Sequence, residues 1–226
     1  MLENRTVLLG SSSGLCNRIR MLSNWLGRVQ RIRMLWPITT ECPAFWTELF
    51  KPLERVHFDY ASRKQADRHR KPITALRVLT LDNLTPIFDV PKIQNSYIAV
   101  HVRRTDLIRL KQKNSVEIES DEYYFNQIDE SGLDLIYLAS DSAKTQNAFK
   151  RQYKDRLLFF EDITTYGSKI RPVRCSSMYH AVADLYTCAD ATKFIPTRFS
   201  SFSGFINGTR QSRINKMGCS INNSTS

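Results

Sequence analysis

Short β-branched or apolar runs alternate with longer stretches of helical period along the chain, and this alternation constrains the fold more than any other feature of the sequence. Val7–Leu9, Val78–Leu81, Tyr97–Val102, Leu135–Ala139, Leu157–Phe160 and Lys193–Ile195 read as strands. Between them, the stretch from Leu15 to Val29 sets Leu15, Ile19, Leu22 and Leu26 on one side at helical spacing. Glu122–Ile128, Ala143–Tyr153, Ser176–Cys188 and the segment from Ser203 onward are expected to be further helices. Ser176 or Ser177 is placed to serve as an N-cap. Strands joined by helices predict parallel sheets with crossover connections, an α/β protein.

The punctuation of the sequence divides it. Pro86, Pro91 and the polar Gln94-Asn95-Ser96 predict a boundary, leaving residues 1–90 as a compact N-terminal lobe and 91–217 as a second lobe. Residues 62–72 are polar and basic and end in Pro72, which predicts an exposed loop. Residues 218–226 are expected to form a flexible tail.

With 33 Lys+Arg against 22 Asp+Glu the net charge is +11, which favours an anionic partner. A phosphate-bearing small molecule, a nucleic acid and an acidic membrane surface all satisfy that requirement, as does a solvated basic surface with no specific role. Aromatic residues are not interleaved with the basic runs as a base-stacking platform requires, so no nucleic-acid partner is expected. No apolar run approaches the roughly 20 residues that span a bilayer, and Val7-Leu8-Leu9 meeting Gly10 resembles a first strand more than a secretory core. A cytoplasmic location is expected. The five cysteines, Cys16, Cys42, Cys175, Cys188 and Cys219, form no Cys-x-x-Cys pair, so reduced thiols and no metal site are expected. Triplets such as Asn4-Arg5-Thr6, Asn83-Leu84-Thr85 and Asn207-Gly208-Thr209 would matter only in a secreted context.

Three segments carry chemistry. His101-Val-Arg-Arg-Thr-Asp106 follows the Tyr97–Val102 strand, at the strand end where open α/β sheets bind ligands. Arg103 and Arg104 offer guanidinium forks suited to phosphate. Adjacent residues of a strand point to opposite faces, so one of the two is expected to face a ligand while the other braces the fold. Gly10-Ser-Ser-Ser-Gly14-Leu-Cys-Asn17-Arg18 joins the first strand to the first helix, where backbone N–H groups can approach an anion. It matches neither the Walker loop nor the dinucleotide spacing. Phe199-Ser200-Ser201-Phe202-Ser203-Gly204 opens the last helix, and its hydroxyls suit either a phosphate or ordinary capping.

Together these motifs resemble the fucosyltransferase superfamily. His101–Asp106 is similar to the first signature of the α1,6-fucosyltransferases, including the nodulation-type enzymes of rhizobia. Gly14-Leu-Cys-Asn17-Arg18 resembles the N-terminal Gly-x-Gly-Asn-type loop of related α1,2- and O-fucosyltransferases. Tyr137-Leu-Ala-Ser-Asp141-Ser142 resembles the second signature. Asp184-Leu-Tyr186 with Phe199-Ser-Ser-Phe-Ser203 resembles the third. The motifs occur in the family's order and span residues 10 to 204.

The resemblance implies a GT-B-like α/β fold of two Rossmann-like lobes, the N-terminal one reduced. It implies an inverting, metal-independent transfer of fucose from GDP-fucose to a hydroxyl of a glycan acceptor. It places Arg103 on the donor's β-phosphate, His101 and Asp184 near guanine, and Ser201 on the diphosphate. Asn17 and Arg18 would close over the diphosphate from the first lobe, and Asp141 would edge the nucleoside pocket. Gly14, Arg104, Ser200 and Ser203 complete the expected donor set. An aspartate can accept from guanine N1–H and N2–H2 together, which favours GDP over UDP or ADP.

Where the α1,6 branch carries a Lys and a Glu after its Arg-Arg-Thr-Asp segment, this chain reads Leu107-Ile108-Arg109-Leu110, and Phe202 stands where the third signature has Gln. Asp106 joins Arg103 as a catalytic candidate, with Glu117, Glu119 or a residue of the first lobe open as the general base. The rival readings are the same fold using another nucleotide sugar, and a non-catalytic basic module that binds a nucleotide or RNA.

Overall fold

The computed structural model describes residues 2–72, 78–105, 118–160 and 176–222. The chain forms two units, one made of Met1–Asp89 with Asn207–Ser226 and the other of Val90–Ile206. Residues 207–217, expected in the second lobe, thus group with the first unit.

The first unit holds a parallel sheet of three strands in the order β1 (Glu3–Gly10), β2 (Val29–Trp36), β3 (Val56–Tyr60). Helix α1 (Leu15–Leu26) connects β1 to β2. It stops short of the expected Val29, because the chain turns at Gly27 and Val29 begins a strand. Trp36, Trp46 and Phe58 pack together, with Trp46 stacked on Phe58 at 4.5 Å and edge-on to Trp36 at 5.6 Å. The expected loop at 62–72 contains a short helix, α2 (Arg63–Arg68). Ser62 Oγ caps it by accepting from Gln65 N–H, and Gln65 Oε1 returns a bond to Ser62 N–H. Gly10 N–H donates to the His69 carbonyl. A Cβ at Gly10 would sit 2.2 Å from the Ala66 carbonyl oxygen, so only glycine permits this approach of α2 to β1.

The strand expected at Val78–Leu81 is absent. The Val78 and Leu79 amides donate to Ser23 Oγ at 2.8 and 2.7 Å, and Leu81–Asn83 forms a 3-10 turn. A side chain, not a neighbouring strand, satisfies this backbone.

The second unit is a parallel four-stranded sheet in the order β6 (Leu157–Leu158), β5 (Leu135–Ser140), β4 (Tyr97–Val102), β7 (Lys193–Ile195). Its helices are α3 (Asp121–Asp129), α4 (Ala143–Tyr153), α5 (Met178–Asp190) and the start of α6 (Ser201–Asn222). Strand β4 is buried along its whole length, as a central parallel strand covered on both faces must be. Ile98, Val100 and Val102 join Ile136 and Leu138 of β5 in a core with Tyr124 and Ile128 of α3 and Phe149 and Tyr153 of α4. The alternate residues Tyr97 and Tyr137 face α5: Tyr97 Oη donates to the Thr187 carbonyl, and Tyr137 Oη to Asp184. This two-faced wrapping sets which side of the β4 carboxyl end each residue occupies.

Helix α6 continues to Asn222, through part of the expected tail; residues 223–226 lie outside the described residues. Among the described residues, no helix is long and apolar enough to cross a membrane.

Candidate functional site

The second unit gathers a site at the carboxyl ends of β4 and β7, against the first turn of α6. His101, next to last in β4, is buried; its Nδ1 lies 2.8 Å from Ser203 Oγ and its ring stacks on Phe202 at 4.6 Å. Ser203 Oγ also accepts from Thr197 N–H at 3.1 Å. Thr197 is the hub of the site. Its hydroxyl donates to the His101 carbonyl at 2.5 Å and accepts from the Arg103 backbone N–H at 3.1 Å. One buried threonine thus ties the exit of β4 to the turn that starts α6.

That turn is sharply bent. Phe199 has φ of 55° and is 80% exposed, while Thr197 and Ser200 on either side are buried. A left-handed backbone at a phenylalanine costs on the order of 1–3 kcal/mol and persists only where the surroundings impose it. Ser200 does the capping: its hydroxyl accepts from Ser203 N–H at 3.4 Å and its carbonyl from Gly204 N–H at 2.9 Å. Ser201, the first helical residue, is half-buried at the positive end of α6.

The two arginines follow β4 directly. Arg104 turns to the α3 face, donating to the Glu119 carbonyl at 2.5 Å and to Asp121 Oδ1 at 2.7 Å, with its guanidinium 5.7 Å over the Tyr124 ring. These bonds brace the chain after β4 against α3. Arg103 is half-buried, and its backbone N–H is held by Thr197. Asp141, at the end of β5, likewise holds the chain after β4, accepting from Arg104 N–H at 3.0 Å and from Thr105 Oγ1 at 2.5 Å.

Asp184 on α5 accepts from Tyr137 Oη. Burial pushes its carboxyl up to about 7; the negative charge of Asp141 adds to the rise and the Tyr137 bond opposes it. Burial, with Asp184 and Cys188 adding, holds the Tyr137 hydroxyl well above its usual value, so it remains a donor.

In the first unit the glycine–serine turn is already occupied. Asp67 Oδ1 accepts from Ser12 N–H at 3.0 Å, and Asp67 Oδ2 from Ser12 Oγ at 2.9 Å. These bonds, the hydroxyl's first, hold the Asp67 carboxyl below its ordinary range. Arg18, expected to close over a diphosphate, is wholly buried. It donates from Nε to the Ser13 carbonyl at 2.6 Å, from Nη1 to the Pro37 carbonyl at 2.7 Å and from Nη2 to Thr39 Oγ1 at 3.1 Å, and lies 4.7 Å over Trp36. Burial lowers its pKa, with Cys42, Glu41 and Asp67 opposing that effect. Arg18 is a structural residue of the turn. Gly14 is the N-cap of α1 in extended backbone, its carbonyl accepting from Asn17 and Arg18 N–H. Asn17 is half-buried on the first turn of the same helix.

Asp106 and Glu117 lie outside the described residues. Glu119 Oε1 stands 3.3 Å from Arg198 Nε without hydrogen-bond alignment. Thr197, Tyr137 and the stacking role of Phe202 were missed by sequence reasoning. Thr197 offered one signal, a polar residue two positions after a short strand, and its partners lie 94 and 96 positions away.

No family model and no curated protein sequence matches the chain. Solved structures do resemble it. One is NodZ alpha-1,6-fucosyltransferase co-crystallized with GDP, 13% identical, with a TM-score of 0.54 over 91% of this chain and 92% of that one. The same enzyme soaked with GDP-fucose gives 13% identity and a TM-score of 0.51 over 90% and 92%. Fucosyltransferase NodZ from Bradyrhizobium gives 13% and 0.55 over 91% and 93%. At that identity the likeness is one of fold, and the chain has the mixed α/β, fucosyltransferase-like fold with parallel sheets that the motifs implied.

Proposed function

We propose that the second unit binds a GDP-sugar and that the protein transfers fucose from GDP-fucose to a hydroxyl of a glycan acceptor, with inversion and without a metal. The observation that carries this reading is the assembly of His101, Thr197 and Ser203 around the start of the arginine pair, in a fold shared with structures that hold GDP. Arg103 meets the β-phosphate, and Ser201 with the α6 amides meets the diphosphate. His101 and Asp184 frame the guanine. The acceptor is assigned to the first unit.

In the reaction, the acceptor oxygen forms a bond to the anomeric carbon while the bond from that carbon to the β-phosphate oxygen breaks. GDP departs with the electron pair, and Arg103 stabilises the charge that develops on it. The acceptor's proton passes to a general base, for which Asp106, three residues beyond Arg103, is the proposed group.

The test is thermal stabilisation by GDP, GDP-fucose, UDP and ADP, with and without a chelator, followed by a search for fucosyl transfer to glycan acceptors. A ligand at about 100 times its dissociation constant adds roughly 2.7 kcal/mol. A chelator-resistant shift with the guanine nucleotides alone supports the proposal. A shift with UDP alone replaces the sugar donor, and no shift with any nucleotide points to a non-catalytic module.

A further inference from the structure

One interaction at the site, the bond between Tyr137 and Asp184, falls outside the donor contacts already assigned. Tyr137 is fully buried in the sheet, whereas Asp184 is half-buried, so one partner is fixed and the other keeps a surface for a ligand. The bond occupies Asp184 Oδ1, and no partner for Oδ2 is found among the described residues. An ionised carboxylate has about four acceptor sites, so the tyrosine's bond leaves capacity for both donors on the guanine edge.

The charge state of this carboxyl decides which base it can read. As a carboxylate it only accepts, which matches guanine N1–H and N2–H2. As a neutral acid it presents one donor and one acceptor, which matches adenine N1 and N6–H2. A hydrogen bond from Tyr137 favours the carboxylate. Resting on the reading that this site takes a guanine nucleotide, we propose that Tyr137 is a positioning residue which orients Asp184 and keeps it an acceptor, thereby setting the preference for guanine over adenine.

The groups around the pair are consistent with a balance that one hydroxyl can tip. Asp141, at the end of β5, opposes ionisation of Asp184, and burial opposes it more strongly. Cys188, on α5, faces the Tyr137 hydroxyl. His180, one turn before Asp184 on the same helix, is held by Ser177 through Nδ1 at 2.7 Å. On β4, His101 occupies the face of the sheet that Tyr137 shares and is held by Ser203. With Asp184 pushed up to about 7, the selectivity is set near neutral pH.

The experiment measures GDP and ADP affinity from pH 6 to 9 for the wild type, Tyr137→Phe and Asp184→Asn, alongside the pH dependence of the unfolding midpoint without ligand. Phenylalanine keeps the buried ring and removes only the donor. In the wild type the GDP-to-ADP preference should rise with pH, and Tyr137→Phe should move that rise up by about one pH unit. Near neutrality the preference should then fall by about tenfold. Asp184→Asn should flatten the profile. The ligand-free stability inflection should move with Tyr137→Phe in the same direction. A GDP profile and a stability inflection that stay in place in Tyr137→Phe overturn the inference while leaving guanine-nucleotide binding intact. A wild type that binds neither nucleotide at any pH overturns the functional reading itself, whatever the stability inflection does.

Discussion

Two serine-rich turns each carry a strand into a helix, one at Gly10–Gly14 in the first unit and one at Thr197–Ser203 in the second. Their local chemistry is similar: small residues, hydroxyls and amides at a helix N-terminus, with an arginine nearby. Their uses differ. In the first, Asp67 fills the place of an anion at Ser12, and Arg18 is buried against carbonyls. In the second, the hydroxyls of Thr197 and Ser203 hold His101 and the Arg103 backbone, and Arg104 takes the bracing role on the far face. The same composition builds a self-satisfied joint in one case and a candidate ligand site in the other. In the first turn the protein supplies its own carboxylate, Asp67.

Removing Arg18 tests that distinction most severely. Arg18→Ala leaves the Ser13 and Pro37 carbonyls unsatisfied in a buried place and opens a void beneath Trp36. A loss of about 3–5 kcal/mol is expected in urea unfolding. A stable Arg18→Ala protein with weakened GDP binding would instead make the first turn a ligand site like the second.

The carboxylates of the two regions should respond to pH in opposite senses. Asp184 has its folded value raised to about 7, so its stabilising contribution is complete below the ordinary aspartate value and is lost as pH rises through 7. Asp184→Asn should therefore flatten the fall in stability between the ordinary aspartate range and about pH 7. The gain near pH 8 is about 2 kcal/mol after discounting for the part of the carboxyl that water reaches. Asp67 has its folded value lowered, so its contribution is present above the ordinary aspartate range and is lost as pH falls through and below it. Asp67→Ala should cost only about 1 kcal/mol at neutral pH, since its side chain is 40% exposed and screened. Thermal melts of both variants across pH check the two signs together. Equal signs would break the contrast.

Much of the second unit was legible in the sequence. The bounds of β4, α4 and β7 coincide with those expected from Tyr97–Val102, Ala143–Tyr153 and Lys193–Ile195. An unbroken apolar run and a serine cap mark such elements without help from distant residues. Strands β2 and β3 were not read, because Gln30, Arg31 and Arg33 interrupt one and the other is short and half-exposed. Helix α2 was hidden in a basic stretch, although its Ser62-x-x-Gln65 capping pattern was present. The bracing bonds of Arg104 match the expectation that one of the two arginines supports the fold. The fate of Arg18 was not legible, because Pro37 and Thr39, some twenty residues on, decide it. The hub role of Thr197 was hidden for the same reason: long-range geometry gives an ordinary threonine its partners.

The central claim is that the second turn, with Arg103, binds the diphosphate of a GDP-sugar. Calorimetric titration of GDP into the wild type and Arg103→Ala at one salt concentration tests it most directly. Loss of a charge-assisted bond of about 1.5–3 kcal/mol predicts roughly 10- to 150-fold weaker binding with an unchanged unfolding midpoint. An Arg103→Ala protein that binds GDP as tightly as the wild type would contradict the account.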